Sequence, residues 1–190
     1  MPRAVLYRQL PGEGLDEFIR RFRNAAAEDP FGTVFIVPTS YLVREITHRL
    51  DEEGVPIVAS AITTLQGFAR KVFLDTATVE TLIPDAESRL ILADILAANA
   101  ARFPLLAGAG AVGELATLFS VLIMRKVNYP DALGDLQSAK SAEIGALFDA
   151  CLRFLEDRNL VDGSTLFARA TRQLIRAGPR PRTVFIYGLF

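Results

Sequence analysis

This sequence is poor in soft metal ligands and in net charge. Among 190 residues there is one cysteine, Cys151, and one histidine, His48. A disulfide framework is therefore excluded, and too few soft ligands are left for a zinc site. Lys and Arg total 21 against 22 Asp and Glu, a formal net charge of -1. The chain as a whole has no electrostatic footprint for nucleic acid, so any DNA contact has to be local. No uninterrupted apolar run approaches the ~20 residues of a membrane-spanning helix. The run after Met1-Pro2-Arg3 is only a few residues long before Arg8, too short for a signal peptide, and a cytoplasmic location is expected.

What is present is apolar residue, at 51% of the chain, enough for one substantial core or for one domain carrying a helical insertion. Cys151 shares a helical stripe with Ile144, Leu147, Phe148, Leu152 and Leu155, which predicts a core-packing thiol. His48 lies late in a predicted helix beside Thr47 and Arg49, where a solvated position is expected.

The first third alternates strand with helix. Ala4 to Tyr7 reads as a short apolar strand, Leu15 to Glu28 as an amphipathic helix, and Thr33 to Val37 as a β-branched run suited to a buried parallel strand. Ser40 is placed to cap a helix running to about Glu53, with Leu42, Val43, Ile46 and Leu50 on its inner face. Gly54-Val55-Pro56 precedes a predicted strand at Ile57 to Ala59. Thr64 then starts a helix whose Leu65, Phe68, Ala69, Val72 and Phe73 follow a helical period.

From about Thr76 to Pro181 strand patterns vanish. Helices are predicted at Asp85 to Ala101, Ala111 to Lys126, Pro130 to Gln137, Ser141 to Arg158 and Ser164 to Arg176. Strand character returns at Thr183 to Tyr187. The expected fold class is α/β: a parallel, partial sheet of the P-loop NTPase (RecA-like) kind, interrupted by an all-helical insertion. The expected parts are 1–75 for the α/β subdomain, 76–181 for the insertion and 182–190 for the returning strand.

The loop Pro11-Gly12-Glu13-Gly14-Leu15-Asp16 has the frame of a phosphate-binding site, an apolar strand running into a Gly-x-Gly turn and then a helix. It lacks the chemistry. Leu15 stands where the phosphate-binding lysine should be, and Asp16 where the magnesium-binding hydroxyl should be. Read without that comparison, Gly12-Glu13-Gly14 is a plain connection.

Thr39-Ser40-Tyr41-Leu42-Val43-Arg44-Glu45-Ile46-Thr47-His48-Arg49-Leu50 resembles the Thr-Asn-x-Ala-Ala-x-Glu-Met-x-x-Arg-Leu motif after the second strand of UvrD/Rep-like superfamily 1 helicases. Thr39, Glu45, Arg49 and Leu50 match outright. Ile62 to Ala69 is similar to that group's next segment, Thr-Phe-His-Ser-Phe-Ala, with Thr64, Phe68 and Ala69 retained. More specifically, the chain resembles the N-terminal helicase-like region of AddB/RexB-type helicase-nuclease subunits and related PD-(D/E)xK nuclease family proteins. Ile36-Val37-Pro38 matches an Ile-Val-Pro tripeptide there, and Arg158 to Asp162 with Val184 to Leu189 fit the later turn and the strand Val-x-Val-Asp-Gly-Phe. Tyr187 stands where that strand has Asp, so the Walker B acid is missing too.

The resemblance implies a non-catalytic helicase-like domain of a DNA repair and recombination helicase-nuclease, serving as scaffold and guide for single-stranded DNA. Carried over residue by residue, it nominates Thr39, Ser40, Thr64 and Gln66 as phosphate or sugar contacts, with Arg44 and Arg49 beside them. No catalytic residue, cofactor or metal is expected in this chain. The alternative is a protein-interaction module that docks a partner helicase or nuclease subunit through the helical insertion. Arg20-Arg21-Arg23 and Arg176, Arg180, Arg182 read as a solvated helix face and a charged linker. The acids Asp75, Glu80, Asp85 and Glu87 read as surface. A chain ending in an apolar strand is expected to be part of a larger unit and to self-associate through a bare sheet edge.

Overall fold

The structure, a computed structural model, describes residues 5–8, 14–76, 79–106, 110–125, 138–177 and 182–188. It divides into two units, one of residues 1–76 with 170–190 and the other of residues 77–169. The fold is mixed α/β and mostly helical, with a small parallel sheet in the first unit.

The first unit holds a four-stranded sheet in the order β1 (Val5–Arg8), β6 (Thr183–Ile186), β2 (Thr33–Val37), β3 (Ile62–Thr64). Every pairing is parallel. Successive side chains alternate between faces, so Phe35, Val37 and Phe185 point to one face, where α1 (Leu15–Glu28) and α2 (Ser40–Glu52) cover them. α1 contributes Phe18, Ile19, Phe22 and Ala26, and α2 contributes Ile46 and Leu50. Phe18 and Phe22 each stand edge-on to Phe185, at centroid distances of 5.5 and 5.8 Å. Rings buried in this way cost about 3–5 kcal/mol when cut back to Ala. The opposite face is buried at Val34 and Ile36. Nearer the β1 edge it opens: Leu6 is 63% exposed and its register partner Val184 is only partly buried.

Residues 57–59 do not form a strand. Pro56 has no amide hydrogen to give a ladder, and the chain turns at Ala59-Ser60, with Ala61 N–H donating to Val58 C=O at 2.8 Å. Ile57 and Val58 pack against the core without pairing. Pairing begins at Ile62 opposite Phe35, three residues before the helix α3 (Leu65–Leu74).

In the second unit α4 (Asp85–Ala98), a 3-10 turn (Pro104–Leu106), α5 (Ala111–Arg125) and α6 (Ala139–Asp157) enclose their own core. Leu92, Leu96, Phe103, Phe119, Leu147 and Phe148 fill it, with Phe119 and Phe148 ring centroids 5.0 Å apart. Cys151 packs against this cluster as the helical stripe predicts, and burial pushes its thiol up to about 12. The insertion is not all-helical. β4 (Thr81–Leu82) and β5 (Leu160–Val161) pair in parallel, each too short to give a legible alternation. The predicted helix Pro130 to Gln137 lies outside the described residues.

α7 (Gly163–Ala177) begins in the second unit and ends in the first. Its start is organised by Asp162, which is buried. That carboxylate accepts from the Thr165 backbone amide at 2.8 Å and from the Ser164 hydroxyl at 2.8 Å, and Ser88 adds a weaker contact at 3.3 Å. Glu80 is not a surface acid: its side chain is 18% exposed and pairs with Arg169 at 3.0 Å.

Candidate nucleic-acid interface

In a parallel α/β sheet, ligands gather beyond the carboxyl ends of the strands, because every strand there hands over to a loop and a helix N-terminus. Three of the four strand ends are described here, and two of them hand over to a helix N-terminus. β2 runs into Pro38-Thr39 and α2, β3 directly into α3, and β6 into Tyr187-Gly188. Val37 is the register partner of Thr64, so the starts of α2 and α3 lie side by side on adjacent strands. β1 leads toward Gly14 and α1, but Gly12 lies outside the described residues.

Thr39, not Ser40, caps α2: its hydroxyl accepts from the Leu42 amide at 3.2 Å. Thr39 has the extended backbone a cap requires, whereas Ser40 is already helical. The cap role foreseen for Ser40 therefore moves one residue back, and the Ser40 side chain is exposed without that duty. Thr64 caps α3 as the sequence predicts, accepting from Gly67 N–H at 3.1 Å. A Cβ on Gly67 would fall 2.4 Å from the Thr63 hydroxyl, which would have to turn aside. Both caps leave the amides of Ser40, Tyr41, Leu65 and Gln66 with no acceptor inside their helices. A threonine cap accepts through a lone pair and keeps its O–H to donate, so capping does not exhaust the group.

Thr39, Ser40, Thr64 and Gln66 are thus brought to one sheet edge. Beside them Tyr41 is 65% exposed and Leu65 43% exposed. Tyr41 escaped the sequence reading, although its place outside the Leu42, Val43, Ile46, Leu50 stripe signals that it faces outward. Arg44 is exposed further along α2. Arg49 is not at the edge. It sits in the last turn of α2, where Nη1 meets Asp16 Oδ1 at 2.5 Å and Nε meets Glu53 Oε1 at 3.3 Å. Glu53 in turn meets Arg23 Nη1 at 3.3 Å, so Asp16, Arg49, Glu53 and Arg23 form a chain of alternating charge joining α1 to α2. The hydrogen bond to Asp16 is the largest cause holding the Arg49 guanidinium above its ordinary value.

The three helix starts differ in charge. α1 has Asp16 and Glu17 in its first turn, whereas the first turns of α2 and α3 hold no acid. The positive end of α1 already faces its own carboxylates, each held by an arginine, which leaves less of it to a phosphate; the starts of α2 and α3 carry no such acid. Gly14 precedes α1 with φ -72°, and a Cβ on it would meet nothing within 4 Å. The fold itself therefore makes no demand for glycine at that position.

Tyr187 follows β6, donates its amide to Ile36 C=O at 3.0 Å, and its ring lies 5.9 Å from Phe18. It is packed into the α1 side of the core. Arg20 pairs with Glu17 and Arg21 lies over the Tyr7 ring at 4.9 Å, so that basic group is tied locally to its own helix and strand. His48 is exposed, 3.3 Å from Glu52. Among the described residues no cluster of three or more His, Cys, Asp or Glu could hold a metal ion, and no helix is long and apolar enough to cross a membrane.

No protein-family model matches the sequence, and no match to a curated protein is found.

Proposed function

We propose that this chain is a catalytically silent, helicase-like domain of a DNA repair helicase-nuclease, built on a partial RecA-like sheet and working in the cytoplasm as a scaffold that guides single-stranded DNA. The strand would cross the carboxyl edge of β2 and β3. Phosphates would accept from the Ser40 and Thr39 hydroxyls, the Gln66 amide and the first amides of α2 and α3, while Tyr41 offers a ring for a base to stack on. Arg44 would add charge alongside.

One observation carries this reading: the side-by-side helix starts of α2 and α3 are free of acid and lined by hydroxyl and amide donors, whereas the α1 start carries Asp16 and Glu17. That asymmetry favours a polyanion over β2 and β3 and disfavours a nucleotide triphosphate over β1. Binding of fluorescent oligothymidylate to the whole chain, with Ser40→Ala and Gln66→Ala combined as the weakened variant, tests it.

A further inference from the structure

One flank of α5 has a pattern that the core does not explain. Leu115, Phe119 and Leu122 are buried in the second core. About a quarter-turn round the helix from that stripe, Glu114, Leu118, Val121 and Arg125 are all exposed, Leu118 at 37% and Val121 at 40%. Steps of four, three and four residues place them in one seam along the helix, the spacing of a coiled-coil stripe. Met124, 56% exposed, flanks the seam.

This seam is its own complement. Leu118 and Val121 are centred between Phe119 and Ser120, and so are Glu114 and Arg125. Turning a second α5 end for end about that point sets each Leu118 against the other copy's Val121. The same operation sets each Glu114 against the other copy's Arg125, closing the apolar centre with opposite charges about 16 Å apart at ~1.5 Å per residue. A parallel pairing would oppose Glu114 to Glu114 and Arg125 to Arg125.

We infer that α5 is a self-association surface, through which two copies of this chain pair antiparallel about a two-fold axis at residues 119–120. The occupant is a second copy because the charge order of the seam matches its own reversed image. One pair of four-turn helices buries less than the ~1,200 Å² of a standard stable interface, so the dimer is concentration-dependent. The inference is independent of the strand-guiding reading.

Sedimentation velocity of the whole chain over a range of concentrations tests it, with far-ultraviolet circular dichroism to show that each variant keeps its helices. Wild type should pass from monomer to dimer, and Leu118→Lys should remove the dimer. Glu114→Arg alone and Arg125→Glu alone each set like charges together at both ends and should lower the association constant about tenfold. Combined in one chain, the two reversals should restore it. A wild type that stays monomeric throughout, a dimer that survives Leu118→Lys, or a double reversal no better than either single one would overturn the inference.

Discussion

Arg49 and Asp16 tie the end of one helix to the start of another, with Arg49 Nη1 2.5 Å from Asp16 Oδ1 across 33 residues of sequence. The contact takes Arg49 away from the sheet edge and places it in the chain that runs on through Glu53 to Arg23. Both side chains are solvent-accessible, so the pairing is screened by salt. Arg49→Ala should lower the melting temperature slightly at low ionic strength and leave it unchanged at about 1 M salt. Circular dichroism melts at the two salt concentrations check this. A loss that persists at high salt would mean that the Arg49 stem matters by packing rather than by charge.

The caps separate stability from binding. Thr39→Ala and Thr64→Ala each remove the acceptor for a helix N–H and should cost about 1 kcal/mol. Ser40→Ala removes no cap and should leave stability within ~0.5 kcal/mol. Urea denaturation of the three variants checks the order. A Ser40→Ala loss equal to that of Thr39→Ala would show that the cap sits at Ser40 after all.

Cys151 makes stability depend on alkaline pH. Its thiol is raised to about 12 in the folded chain by burial, from an ordinary value of 9.0. Between those values the unfolded chain has lost a proton that the folded one keeps, so this residue's contribution is intact below pH 9 and is lost as pH rises toward 12. Cys151→Ala should flatten that part of the melting-temperature profile. Thiol reagents at about pH 8 should react more slowly with the folded chain than with the urea-unfolded one.

Much of the first unit was legible in the sequence because its signals are strong and local. The unbroken β-branched run Thr33 to Val37 announces a fully buried strand, and the helical stripes of α1, α2 and α3 repeat over several turns. β3 was displaced because Ile57, Val58 and Ala59 look more strand-like than Ile62, Thr63 and Thr64. Which run pairs was decided by Pro56 and the turn at Ala59-Ser60. The cap of α2 was misplaced by one residue for a similar reason, since Thr39 and Ser40 have interchangeable chemistry and differ only in backbone conformation. β4 and β5 have two residues each and gave no pattern to read. Glu80 and Arg169 could not be paired from sequence either, because nothing local links residues 89 positions apart. Of the candidate site, the residues at helix starts were legible as cap chemistry. Tyr41 and the engagement of Arg49 depend on which way a side chain leaves its helix.

The most direct test of the strand-guiding account is fluorescence anisotropy of an oligothymidylate titrated with the whole chain at several salt concentrations. The account predicts saturable binding that weakens steeply as salt rises, is weaker for duplex of equal length, and falls about tenfold or more in Ser40→Ala combined with Gln66→Ala or in Arg44→Glu. Millimolar ATP should neither bind nor compete. No binding at low salt, binding indifferent to these substitutions, or magnesium-dependent ATP binding at the Gly14 end of α1 would contradict it.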